Sequence, residues 1–177
     1  MFHDWDSFYL LIGSASGALI GLLFVVVTLT AGSDRSNASR GQRIYMTPTL
    51  FHFAVVMVAS GIALTPGLPA WGSGLLIGVC ALTGLVYVGW IAILLHSHKV
   101  PDPPHWSDFW AYGSVPAVIY LVFTGVAGAV ATGAPAAPFG VALVLLFLLL
   151  LAIRNAWDLV TWIAPRVDPP PAPNPPF

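Results

Sequence analysis

Glutamate is absent from this chain, and lysine and cysteine each occur once. The acidic residues are therefore all Asp, seven of them against six Lys plus Arg, which leaves a formal net charge of −1. So sparse and balanced a set offers no basic surface to neutralise a phosphate backbone, and nucleic-acid binding is excluded. The lone Cys80 lies inside an apolar run, which removes an intrachain disulfide framework and a thiolate zinc site and leaves a small packing residue. Catalytic signatures are missing as well. The sequence holds no phosphate-binding glycine loop, no H-E-x-x-H and no G-x-S-x-G, and it reads as a non-enzyme. The opening residues Met1, Phe2, His3, Asp4, Trp5 and Asp6 lack the positive region of a secretory signal, so the first apolar stretch is retained as a membrane anchor.

What the sequence has in quantity is apolar surface. Of 177 residues 58% are hydrophobic and only 7% charged, with a mean hydropathy of +0.86; soluble domains carry about 25% charged residues. Lipid is the solvent such a chain demands. The expected architecture is all-α, a polytopic transmembrane helical bundle of about five spans, because only helices and closed barrels satisfy their backbone polar groups in a bilayer. The spans are placed at residues 8–31, 48–64, 71–95, 108–132 and 139–163. Gly32, Ser33 and Asp34 end the first, Thr47 and Pro48 supply an N-cap and first helical position for the second, and the turn Thr65 to Pro69 precedes the third. Residues 1–166 thus form one transmembrane domain, and 167–177, with six prolines from Asp168 onward, form an extended, disordered cytoplasmic tail.

Basic residues set the expected orientation, since Lys and Arg are retained on the cytoplasmic side. Arg35, Arg40 and Arg43 fall between spans one and two, Lys99 between three and four, and Arg154 and Arg166 at the end of five, all on one side. The N-terminus is accordingly expected outside and the C-terminus inside. Trp5, Tyr9 and Trp71 should mark the outer interface, and Trp90, Trp106, Trp110, Trp157 and Trp162 the inner one. Abundant Ala, Gly and Pro beside a single Lys point to a GC-rich bacterial genome, hence a bacterial inner membrane.

Three groups of residues invite a functional reading. Gly13, Gly17 and Gly21 repeat every fourth position on one face of the first span, a stripe that lets a second backbone approach either within the bundle or across a homo-oligomer seam. Gly74 and Gly78, and then Gly125, Ala129 and Gly133, repeat the pattern. Arg154, Asn155 and Asp158 are the closely spaced polar residues on the fifth apolar helix. They read as an interfacial ion pair or as a gate or ion relay. His96, His98 and His105, with Asp102 and Asp108, have the chemistry of a divalent metal site, but Pro101, Pro103 and Pro104 favour a solvated loop. No cofactor is otherwise expected. His52, alone on its apolar helix, reads as a hydrogen-bonded packing residue and not a haem ligand.

With no extramembrane domain, the bundle itself is the working part. The leading expectation is a small oligomeric channel or transport-related protein. The alternatives are a non-catalytic assembly subunit of a larger membrane complex and a metal or haem protein of the membrane. The partners expected are the lipid bilayer and either further copies of the chain or another membrane protein.

Overall fold

A computed structural model describes residues 1–30, 35–96 and 110–163. Five helices long and apolar enough to cross a membrane are present, and no strand occurs among the described residues. A short 3-10 turn, His3–Trp5, leads into α1 (Asp6–Thr30); α2 spans Arg35–Leu64 and α3 Ala70–His96. A π-helical turn, Trp110–Ser114, runs into α4 (Val115–Ala131), and α5 spans Ala137–Ile163. The chain is a multi-pass membrane helical bundle.

Tight turns join the helices at the end of the bundle that carries the amino-terminal segment. At the end of α4 the Gly133 N–H donates to Val130 O (3.0 Å) and the Ala134 N–H to Ala129 O (3.0 Å), the paired bonds of a Schellman cap. Gly133 sits at φ +75° and Gly67, in the α2–α3 turn, at φ +73°, both left-handed conformations open to glycine at little cost. Gly133 therefore terminates α4 and does not extend the small-residue stripe that the sequence suggests with Gly125 and Ala129.

The second helix differs most from its sequence reading. Thr47 and Pro48 do not open it: α2 begins at Arg35 and carries Pro48 inside. Its 30 residues measure about 45 Å at 1.5 Å per residue, well beyond a hydrocarbon core of about 30 Å. The apolar part is Met46–Leu64. Thr47–Pro48 thus marks where the span becomes apolar, and the helix absorbs the backbone bond that proline cannot donate. The start of the fourth span at 108, the 167–177 tail, Lys99, Trp106 and Arg166 lie outside the described residues.

α2 and α5 form the centre of the bundle, with 50% of each span buried against 17% for α1 and 28% for α3 and α4. Phe53, Val56 and Ala59 of α2 meet a core that includes Val141, Leu145, Leu148 and Ala152 of α5, the latter at three- and four-residue intervals that keep them on one face. The outside is the reverse of a soluble protein: Leu11, Leu29, Val86, Ile93, Leu121 and Phe147 are all exposed, as lipid contact requires. Trp71, Trp90 and Trp157 are exposed near span ends, where headgroups accommodate indole rings. Tyr9 is not such an anchor. It is fully buried, and its hydroxyl donates to Pro138 O at 2.6 Å, fastening α1 to the first turn of α5.

Glycines bring two helix pairs close. A Cβ at Gly13 would fall 3.0 Å from Ser60 Cβ and one at Gly17 3.6 Å from Met57 Sδ, so this part of the first stripe packs against α2 within the chain. Ser16 Oγ on the same helix donates to Phe53 O at 2.7 Å. Gly21 has nothing within 4 Å of its missing Cβ. On the opposite flank, a Cβ at Gly74 would lie 2.5 Å from Ala131 N, which means that α3 and α4 meet backbone to backbone there.

Candidate functional site

The most informative polar grouping lies inside the bundle. Thr49, His52, Val56, Ser60 and Ala63 recur along α2 at three- and four-residue intervals, all buried, so the helix presents a mixed polar stripe to the interior. His52 and Ser60 are 0% and 1% exposed. Tyr120 of α4, also fully buried, reaches across α3 to place its hydroxyl 2.9 Å from His52 Nδ1.

The reach depends on Gly84. The ring of Tyr120 occupies the space where a Cβ at position 84 would stand, with Cε1, Cδ1 and Cζ all in the way. Glycine in the middle of an apolar helix costs roughly 0.5–1 kcal/mol relative to alanine, and here that cost opens a passage for an aromatic ring. Further aromatic contacts hold the pair. Phe51 packs on Tyr87 with ring centroids 4.6 Å apart and lies 6.4 Å from the Tyr120 ring, while the His52 and Tyr120 rings are 5.6 Å apart. Imidazole and phenol are therefore held by three helices.

Hydrogen-bond bookkeeping fixes their roles. A phenol that donates to Nδ1 leaves Nε2 carrying the imidazole proton, and one donor is then unsatisfied. The reverse tautomer leaves both the phenol hydrogen and the Nε2 lone pair without partners. The first arrangement is favoured, because an unsatisfied buried polar group costs about 1–3 kcal/mol. His52 Nε2 is accordingly a donor facing the bundle interior with no partner among the described residues, and Ser60 Oγ and Asn155 Nδ2 share that condition. Three buried polar atoms without partners, all on the two central helices, are unusual in an apolar bundle.

The other candidate residues are placed differently. Arg154 and Asp158 pair at 3.1 Å one turn apart on α5, both about half exposed, and Arg154 Nη1 donates to Asn155 Oδ1 at 3.3 Å. Arg154 stands about 26 Å along α5 at 1.5 Å per residue, at the end of the span. Asn155 turns inward and is fully buried. Of the Gly13, Gly17 and Gly21 stripe, the first two positions serve the α1–α2 contact, Gly13 directly against Ser60 of the polar stripe. His98 and His105 lie outside the described residues, and His96 is the last residue of α3 with its side chain likewise outside the description.

His52 is visible in the sequence as a polar residue in an apolar run. Tyr120 and Gly84 are not, since nothing in a one-dimensional pattern links positions 68 residues apart. No family model, curated protein or solved structure matches this chain.

Proposed function

We propose that this chain is a small transport-related protein of a bacterial inner membrane, working as an oligomer, in which the His52–Tyr120 pair handles a proton or a small neutral hydrogen-bonding solute. The observation that carries this reading is the His52 Nε2 donor, buried in a lipid-embedded bundle without a partner among the described residues. Intramembrane polar groups of this kind are expensive, and function is the usual reason for their retention. A donor calls for a cargo that presents a lone pair, such as water or a hydroxyl or carbonyl group. An imidazole can also accept a proton at one nitrogen and release one at the other. Coupling to a metal cation is disfavoured, because the described helices carry Asp only at positions 4, 6 and 158, near span ends.

The proposed orientation places the amino-terminal segment and the Thr65–Pro69 turn outside. It rests on the clustering of Arg35, Arg40 and Arg43 in the first part of α2 and of Arg154 near the end of α5.

Proteoliposomes containing a pH-sensitive dye test the reading. Under an imposed potential the wild-type protein should pass protons, or under an osmotic step a solute the size of urea or glycerol, and His52→Leu should abolish the flux. Wild-type vesicles tight to both, or flux unaltered by His52→Leu, would remove the proposal. A second reading, an assembly subunit, is favoured by the lipid-facing side of α4, where Gly125 and Gly128 have nothing within 4 Å of their missing Cβ atoms and a partner backbone has room to approach. Co-purification with a stoichiometric membrane partner distinguishes it.

A further inference from the structure

The unpartnered polar atoms of the interior lie at three depths. Measured from the end of the bundle that carries the α2–α3 and α4–α5 turns, at 1.5 Å per residue, Ser60 stands about 6 Å and His52 about 18 Å from Leu64 along α2. Asn155 stands about 27 Å from Ala137 along α5. Steps of about 12 and 9 Å thus carry the series across most of a hydrocarbon core of about 30 Å.

The series follows the contact between α2 and α5. Asn155 comes two turns after Leu148 and shares its buried face of α5, the face that Val141, Leu145 and Ala152 also line. On α2, Ser60 is about 80° round the helix from His52 at 100° per residue, and Val56 falls between them. Each end has an opening. Gly13 leaves room beside Ser60, whose Oγ would be 3.6 Å from a Cβ at that glycine. At the other end Asn155 Oδ1 accepts Arg154 Nη1 at 3.3 Å, and Arg154 is about half exposed, so the buried amide connects with the interface.

The wall between these stations decides what can use them. Val56, Leu145 and Leu148 are apolar and fully buried. Urea or glycerol carries polar groups on every side, and those groups would be desolvated there without partners. Water bonds to itself, and at about 2.8 Å per hydrogen bond two or three molecules bridge each step. Such a file conducts protons. His52 interrupts it with an ionisable ring, for which the passage of plain water has no use.

We infer that the species handled is the proton, carried on a file of water along the α2–α5 contact from Ser60 past His52 to Asn155. The inference rests on the transport reading of His52 given above and adds the cargo and the two ends of its path. For each proton added to the imidazole on one side one leaves on the other, and the neutral ring is restored.

The test uses the full chain in proteoliposomes, with an internal pH dye under an imposed potassium-diffusion potential and, in parallel, light scattering after a glycerol step. Wild type should pass protons and remain tight to glycerol. Ser60→Ala and Asn155→Leu should each lower the proton flux about tenfold, the rate change implied by losing one hydrogen bond to a water in the path. Both should also keep or raise the unfolding midpoint, because each removes a buried polar atom that has no partner in the protein. Glycerol passage that His52→Leu stops would overturn the proton assignment and leave the transport reading standing. Proton flux stopped by His52→Leu yet unchanged in either of the other variants would overturn the path alone. Flux lowered together with the midpoint would mark Ser60 and Asn155 as packing residues and overturn it too. Vesicles tight to both species, or flux indifferent to His52→Leu, would remove both the reading and the inference.

Discussion

The Tyr120 hydroxyl meets His52 Nδ1 at 2.9 Å across 68 residues of sequence, inside a bundle whose other central contacts are almost entirely apolar. Tyr120→Phe should leave Nδ1 as a buried acceptor without a donor. A loss of about 1–3 kcal/mol is expected, read as a lower midpoint in a denaturing-detergent titration. Combined with His52→Leu, the second substitution should cost markedly less than in the wild-type background, because neighbours sharing one bond are not additive. Full additivity would show that the bond contributes nothing.

Gly84→Ala should be among the most damaging single-methyl changes in the chain. The added Cβ falls on the Tyr120 ring, which is fixed by its bond to His52 and by its neighbours. Overpacking of this kind costs about 1–3 kcal/mol. Gly89→Ala, five residues further along α3 with nothing within 4 Å, is the control and should be neutral or slightly stabilising. Equal midpoints for the two variants would contradict the packing described.

Substitutions in the small-residue stripes should separate folding from assembly. Gly17→Leu presses on Met57 within the chain and should lower stability without selectively dissociating an oligomer. Gly125→Leu with Gly128→Leu fills open space on the lipid-facing side and should lower the mass measured in nanodiscs while leaving monomer stability intact. The opposite assignment would place the seam on α1.

The Arg154–Asp158 pair is half exposed and lies within one helix. Pairs of this type contribute about 0–1 kcal/mol, so Arg154→Ala should shift the unfolding midpoint little. If it also leaves flux unchanged, the pair is interfacial; a large change in flux would make it a gate.

Accessibility labelling addresses orientation. Thr65 and Ala136 are exposed in the two turns at the amino-terminal end of the bundle. In a Cys80→Ala background, Thr65→Cys and Ala136→Cys should react with an impermeant maleimide added to intact cells, and Asn37→Cys only after lysis. The converse pattern would invert the topology.

Five spans are legible in the sequence because lipid imposes long apolar runs, and their ends fall within a few residues of the observed helices wherever a glycine or proline turn follows, as at Thr65–Pro69 and Gly133–Pro138. The start of α2 is not legible, since hydropathy registers the edge of the membrane and not the end of a helix: Arg35 to Met46 is polar yet helical. Tyr9 is ambiguous because tyrosine suits both an interface and a buried bond, and the acceptor on Pro138 is remote in sequence. His52 reads as hydrogen-bonded, but its partner and the Gly84 gap depend on how three helices stack, which composition does not encode.

The backbone contact of Gly74 with Ala131 and the seating of Tyr120 against Gly84 join α3 and α4 with few side chains left between them to rearrange. The two helices therefore form one closely fitted pair, and the phenol of Tyr120 is a fixed pointer mounted on it. One residue of helical rotation, about 100°, would carry the imidazole of His52 away from that pointer and bring a different side chain into view. The 2.9 Å bond thus records the angular setting of α2, and anything that turns the polar, overhanging part of that helix would be read in the centre of the bundle.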